Sequence, residues 1–237
     1  MGGIVGYLGN REARQILVDC LGRLEDCGYD SAGMGTVAAG KLKTLRSLGG
    51  NPGNGMPPHI ANLKATLKRS PLSGKVGVAH AYRSARGQVY NAHSQTDGNF
   101  IAIVHDGGSD NERVVAGLLE RDGSGLEAVL PETVKQLSGN FALVGLSQHE
   151  PDRLVAACRG GKPLVIGHHY DGYFISSDLP AISHYARAWQ ALEDGEMAVI
   201  SYSGVKIFKF DGTPVQRQLT QHHDDEMPAM MARSAVG

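Results

Sequence analysis

The sequence has 237 residues, of which 41% are apolar, and this is enough to bury one large core. Lysine and arginine number 23 against 24 aspartates and glutamates, so no charge excess favours binding to nucleic acid or to an anionic membrane. Three cysteines, Cys20, Cys27 and Cys158, cannot all pair and lack the spacing of a zinc site. No apolar run approaches the ~18 residues of a membrane span, so we expect a reduced, cytoplasmic protein.

The first half of the chain alternates short apolar runs with helical patterns. A buried strand is predicted at residues 4–8, followed by an amphipathic helix at 12–25 with Asn10 as its N-cap. Further strands are predicted at residues 34–37, 42–45, 76–80 and 101–105. Further helices are predicted at residues 59–68, 110–121 and 126–137. We expect Pro131 to interrupt the last of these helices or to delay its start.

Strands dominate the second half of the chain. They are predicted at residues 141–146, 154–157, 163–167, 173–176, 197–201 and 205–210. The dipeptides Asp171-Gly172 and Asp211-Gly212 are typical of hairpin turns. Because strands follow one another along the chain, we expect antiparallel sheets in an α+β domain covering residues 1–220, with a polar tail at 221–237.

Seven segments carry a resemblance to one family. The opening Met-Gly-Gly-Ile-Val-Gly, residues 1–6, resembles the Met-Cys-Gly-Ile-Val-Gly start of class II glutamine amidotransferases, which are N-terminal-nucleophile (Ntn) hydrolases. Within that family, the glutaminase domain of glucosamine-6-phosphate synthase is most similar to segments 23–33, 77–80, 91–93, 104–107, 163–167 and 175–178. The resemblance implies a four-layer αββα sandwich, in which two stacked antiparallel sheets have helices outside both. The family's synthase continues into a sugar-isomerase region, and we expect no such region within these 237 residues.

The residue at the family's nucleophile position is Gly2. In the family a cysteine thiol at the first residue of the mature chain attacks glutamine, and the α-amino group relays the proton. Glycine has no side chain, so no acyl-enzyme can form at Gly2. We do not expect Cys20, Cys27 or Cys158 to replace the nucleophile, because none of them lies at a chain terminus or on a matching motif.

The oxyanion hole is the second departure from the family. In the family an Asn side-chain amide and the N–H of the following glycine stabilise the oxyanion, whereas this chain has Asp106-Gly107. An ionised carboxylate has no N–H to donate and repels a developing oxyanion. We therefore expect Asp106 to act against glutamine hydrolysis.

The anchors for the substrate glutamine also differ. The family stretch His-Thr-Arg-Trp-Ala-Thr-His-Gly supplies an Arg for the α-carboxylate and an aromatic gate, and it corresponds to residues 80–87 here. Tyr82 stands in place of the Arg and Arg83 in place of the Trp. Arg83 could swing in as a surrogate, but neighbours on a strand point to opposite faces. The family segment Ser-Glu-Thr-Asp-Thr-Glu, whose Asp holds the α-amino group, has no counterpart in this sequence.

Five residues near the altered cleft are candidates for ligand binding: His80, Tyr82, Arg83, Arg86 and His93. The two arginines would form a basic patch for a small anionic ligand if both face the cleft. The two arginines are equally consistent with solvated loop positions, whereas for the histidines satisfied core positions are favoured over a catalytic role. No ligand spacing supports a metal site, and we expect no cofactor.

Two functions are open on this basis. The first is a pseudoenzyme without glutaminase chemistry, acting as a ligand- or partner-binding subunit of a synthase or aminotransferase system, with a separate isomerase-like or synthase subunit as its partner. The second is a repurposed enzyme that uses the old cleft for different chemistry, with His80, His93, Tyr82, Asp106 and the Gly2 amine as candidate groups. An engineered inactive variant would explain Gly2 but not the other losses.

Overall fold

A computed structural model describes residues 2–24, 29, 31–47, 58–82, 101–107, 125–162 and 164–221. The strands in these ranges are β1 (Gly2–Gly9), β2 (Ser31–Ala38), β3 (Lys41–Ser47), β4 (Val76–Tyr82), β5 (Ile101–Gly107), β6 (Phe141–Ser147), β7 (Arg153–Arg159), β8 (Leu164–His169), β9 (Gly172–Ser176), β10 (Ala188–Leu192), β11 (Glu196–Ser201), β12 (Gly204–Lys209), β13 (Pro214–Val215) and β14 (Thr220–Gln221). The helices are α1 (Ala13–Arg23), α2 (Pro58–Arg69), α3 (Leu126–Gln136) and α4 (Leu179–Ser183). None of these helices is long and apolar enough to cross a membrane.

The strands form two sheets in which every ladder is antiparallel. The eight-stranded sheet has the order β14-β10-β8-β9-β1-β4-β2-β3, and the six-stranded sheet has the order β13-β12-β11-β7-β6-β5. Each predicted strand overlaps an observed one, and the strands predicted at 34–37 and 42–45 pair with each other across Ala39 and Gly40. The expectation of antiparallel sheets is therefore confirmed.

Three layers of apolar side chains hold the sandwich together. Between α1, α2, α4 and the eight-stranded sheet, the core includes Leu17, Leu63 and Phe174. Ile4, Val144 and other aliphatic residues fill the space between the two sheets. A third layer, around Val134, lies between α3 and the outer face of the six-stranded sheet. The predicted αββα sandwich is confirmed.

Strand β1 shows how alternation sorts residues between these layers. Ile4 and Leu8 contribute to the core between the sheets, whereas Val5 and Tyr7 face the helices. Successive side chains of a strand point to opposite faces, so even-numbered residues of β1 face the six-stranded sheet. Position 2 therefore faces the space between the sheets.

The first helix begins later than its sequence pattern predicts. Its N-cap is Glu12, which makes no side-chain capping hydrogen bond, and the prediction of Asn10 as the cap is wrong. The backbone N–H of Asn10 instead donates to the carbonyl of Asp171 at 2.8 Å, and that of Ala13 donates to the carbonyl of Gly74. These contacts hold residue 10 at the end of the sheet, so α1 can begin only after the chain has turned away from it.

The predicted effect of Pro131 is also wrong. Helix α3 runs without a break from Leu126 through Pro131. The Leu126 and Val134 side chains are buried against the six-stranded sheet, and the Leu137 N–H still donates to the Thr133 carbonyl. Tertiary packing on both sides of the proline outweighs the loss of one backbone hydrogen bond.

Several elements were not predicted from the sequence: α4, β10, β13 and β14. Gln221, the first residue of the predicted tail, pairs with Ala188 in the eight-stranded sheet. The rest of that tail and the predicted helix at 110–121 lie outside the described residues.

Gly74 offers a test of the close packing of the chain before β4 against strand β2. Its φ is +126°, and a Cβ there would lie 2.1 Å from the Val37 carbonyl oxygen. Gly40 is the matched control, since its φ is +68° and an added Cβ would meet no atom within 4 Å. We expect Gly40→Ala to cost about 1 kcal/mol and Gly74→Ala about 3 kcal/mol or more in urea unfolding. Equal losses would contradict this packing.

Candidate functional site

Gly2 lies where β1 begins, beside the last residues of β4. It is buried, and the antiparallel register pairs Gly2 with Tyr82 and Ile4 with His80. A Cβ placed on Gly2 would lie 3.4 Å from the Ala81 carbonyl oxygen and 3.5 Å from Nε2 of His80. Those are ordinary contact distances, so this position has room for a small side chain that would point at the His80 imidazole.

His80 and Tyr82 form the wall of the site on the β4 side. His80 is only 3% exposed, and its ring centroid lies 5.5 Å from that of Tyr82, which is half-buried. The hydroxyl of Ser31, on the neighbouring strand β2, donates to the Tyr82 carbonyl at 3.2 Å. Two of the five candidate ligand-binding residues are thus brought next to Gly2.

Ser177 lies on the other side of β1, just beyond the end of β9. Its hydroxyl accepts a hydrogen bond from the Ile4 N–H at 3.0 Å, and its own N–H donates to the Ile4 carbonyl at 3.1 Å. The N–H and the carbonyl of Ile4, two residues after Gly2 in the chain, are therefore both fixed by hydrogen bonds to Ser177. Ser177 lies in segment 175–178, which carries the family resemblance, but no role was predicted for it.

Asp106 faces the space between the sheets from the opposite, six-stranded side. Ala102 and Val104 on the same strand belong to the core between the sheets, and alternation places Asp106 on that face too. Its side chain is 12% exposed and forms an ion pair with Nζ of Lys162, whose side chain is 25% exposed. The carboxylate at the expected oxyanion position is therefore already engaged by a cation.

Lys162 was not among the residues predicted for this site. It follows Gly160 and Gly161, whose φ values of +72° and +70° make the turn that leads out of β7. The sequence around Lys162 indicates only a turn, and the lysine is 56 residues from Asp106 in the chain.

At position 107 a glycine is required by close packing, because a Cβ there would lie 2.6 Å from Nε2 of His105.

The other predicted site residues cannot be placed. Arg83, Arg86 and His93 all fall within residues 83–100, which lie outside the described part of the chain. The basic patch therefore stays a prediction. Within the described residues, no group of three or more His, Cys, Asp or Glu side chains is arranged to hold a metal ion.

Two cysteines can be placed, and both lie in the core. Cys20 packs between α1 and the eight-stranded sheet, and Cys158 lies between the two sheets. The Cys158 thiol donates to the carbonyls of Leu192 at 3.2 Å and Glu193 at 3.1 Å. Burial raises the pKa of both thiols to about 12. Neither is therefore an ionised nucleophile at neutral pH.

Comparison with known proteins agrees with this architecture. No family model matches the chain. Curated proteins named glutamine–fructose-6-phosphate aminotransferase (isomerizing) are 36% identical over 243 residues in Rhizobium meliloti (strain 1021) and 32% identical over 244 residues in Clostridium acetobutylicum. This chain is a class II glutamine amidotransferase-like domain. Each of these alignments covers 92% of the domain but only 38% of the relative, so the chain spans about two fifths of the length of these relatives.

Solved structures show the same fold at lower identity. Glutamine phosphoribosylpyrophosphate amidotransferase from B. subtilis has a TM-score of 0.65 and 20% identity to the class II amidotransferase-like domain. A structure described as the allosteric regulatory enzyme of purine biosynthesis has a TM-score of 0.70 and 22% identity. Each match covers 88% of the domain and 49% of the solved chain. The Ntn-hydrolase sandwich predicted from the sequence is confirmed.

The buried thiols lead to a prediction about reactivity. We expect Cys20 and Cys158 in the native protein to resist an alkylating reagent at pH 7.5, because little thiolate forms and the surrounding core blocks access. The same reagent in denaturant should modify both residues. Mass spectrometry of the corresponding peptides measures each site separately, and rapid native alkylation of either cysteine would contradict its placement.

Proposed function

We propose that this class II amidotransferase-like domain lacks glutaminase activity and works as a ligand- or partner-binding subunit of a synthase or aminotransferase system. The observation that carries the proposal is Gly2. Its position beside His80 corresponds, by the resemblance, to the cysteine that attacks glutamine in the family. A hydrogen atom in place of the thiol removes covalent catalysis altogether.

The charge at the expected oxyanion position supports the same proposal. Asp106 replaces a neutral amide donor, and loss of one such donor typically reduces the rate by about 10²–10³-fold. A water molecule attacking glutamine without the thiol would still develop negative charge on the carbonyl oxygen. The Asp106 carboxylate, already paired with Lys162, offers that oxygen no hydrogen bond.

The described cysteines offer no substitute for the nucleophile. Cys20 lies on the helix side of the eight-stranded sheet, whereas position 2 faces the other side. Cys158 faces the space between the sheets, but its thiol donates to backbone carbonyls and its pKa is raised to about 12. A cysteine nucleophile would therefore have to come from outside the described residues.

The proposed partner is a separate isomerase-like or other synthase subunit. The relatives are named as isomerizing aminotransferases, and the domain spans 38% of their length. In such a system the domain would contribute binding, with Arg83 and Arg86 as candidate contacts for a small anionic ligand. The sequence carries no charge excess that would favour nucleic acid instead.

A repurposed enzyme is the second candidate, and one observation favours it. The buried His80 imidazole and the half-buried Tyr82 ring lie side by side at Gly2, so two groups able to transfer protons share one wall of the site. A ligand-dependent activity that is lost in both His80→Gln and Tyr82→Phe would favour this candidate over the pseudoenzyme.

The first test measures glutamine hydrolysis directly. We expect the purified protein to release no ammonia from glutamine above a buffer blank, since there is no thiol at position 2. A glutamine analogue with an electrophilic side chain should leave the N-terminal peptide unmodified in mass spectrometry. Turnover that persists through further purification and follows the protein peak would overturn the proposal.

The second test restores the nucleophile alone. Gly2→Cys should fold, because the position accepts a Cβ at ordinary contact distances, and Gly2→Ala is the matched control for size. We expect Gly2→Cys to release no more ammonia than Gly2→Ala, because Asp106 still offers the oxyanion no hydrogen bond. Mass spectrometry must confirm that Met1 is removed from both variants. Robust hydrolysis by Gly2→Cys would show that only the nucleophile had been lost.

A further inference from the structure

The ion pair between Asp106 and Lys162 joins the two sheets. Asp106 lies near the end of β5, an edge strand of the six-stranded sheet. Lys162 lies on the connection that leaves β7 in that sheet and enters β8 in the eight-stranded sheet. Both side chains are largely withdrawn from solvent, at 12% and 25% exposed. Partial burial of two charges costs solvation energy, so each depends on the other.

The frame around the pair holds both groups in place. The β5–β6 ladder pairs Asp106 with Ala142 and thereby fixes the carboxylate on the inner face. The turn before Lys162 is anchored where the Gly160 N–H donates to the Asp194 carboxylate at 2.6 Å. The neighbouring cation, Arg159, is already used, because its guanidinium donates to backbone carbonyls at the end of α3.

An ammonium group has three N–H donors and binds carboxylates and phosphates as a compact charge. In this structure the anion that Lys162 binds is a side chain of the same protein, the Asp106 carboxylate. The Asp106 carboxylate is the same chemical group that a small carboxylate ligand would present, and it gives the pair no net charge. A neutral side chain at position 106 would leave the ammonium facing the space between the sheets without its counter-charge.

We propose that Lys162 is an anion-binding group for small carboxylates and phosphates, and that Asp106 keeps this site closed by acting as its internal anion. The inference goes beyond the proposed function. It concerns binding to Lys162 alone, and it stands whether or not the domain hydrolyses glutamine.

The test uses inorganic phosphate and acetate as probes, at constant ionic strength set with sodium chloride. Binding is measured by isothermal titration calorimetry for the wild type, Asp106→Asn, Lys162→Gln and the double variant. Asp106→Asn removes the charge with little change of shape. We expect it to bind phosphate at least tenfold more tightly than the wild type, and the double variant to return to the wild-type level.

Two outcomes would overturn the inference. In one, Asp106→Asn binds both anions no better than the wild type. In the other, the double variant keeps the gain, which would place the anion away from Lys162. Asp106→Ser provides a smaller neutral side chain if Asp106→Asn does not fold, and it should show the same gain. A phosphate-dependent rise in Tm, seen in the neutral variants that keep Lys162 but not in Lys162→Gln, gives an independent readout. Glutamine hydrolysis is assayed separately, so failure here leaves the proposed function untouched.

Discussion

The site depends on the central position of β1 in the eight-stranded sheet. This strand is hydrogen-bonded on both sides, to β4 along Gly2–Leu8 and to β9 along Val5–Gly9. A slip of one residue would turn every side chain of β1 to the opposite face and is therefore strongly disfavoured. The close approach of Gly6 to the facing sheet adds a second restraint, since a Cβ there would lie 3.2 Å from a Val144 methyl carbon. Together these constraints place residue 2 beside His80.

The corner around Gly2 is defined by backbone pairing, and the residue at its centre has no side chain. This corner of the site forms around the start of β1, bounded by the His80 and Tyr82 rings and by the Ser177 hydrogen bonds. The residue at the centre of this corner is glycine. Backbone pairing determines where the corner lies, whereas side chains determine what it can do. A fold shared with amidotransferases is therefore compatible with loss of their chemistry, because the fold does not itself specify the reaction.

The Asp106–Lys162 pair shows how one charged side chain depends on another. A carboxylate facing the space between two sheets is costly unless a cation neutralises it. Lys162 supplies that cation from the connection between the sheets, so Asp106 depends on a residue of a different element. The charge at this part of the site is therefore that of an ion pair, which differs from that of a neutral amide donor.

The sequence by itself determined most of the architecture. Alternating and helical apolar patterns predicted β1, α1 and the strands after residue 140, and short motifs pointed to the αββα sandwich and to Gly2 and Asp106. These patterns depend on residues that are close in the chain, so they can be interpreted without knowing which distant residues are in contact. Tertiary structure alone decided the late start of α1, which depends on Asp171, and the partner of Asp106, which lies 56 residues away. It also decided that α3 runs through Pro131, because burial on both sides of the proline outweighs a local propensity. These three features depend on contacts between residues that are distant in the chain and come together only when the sheets stack. A local sequence pattern does not indicate which residues make those contacts.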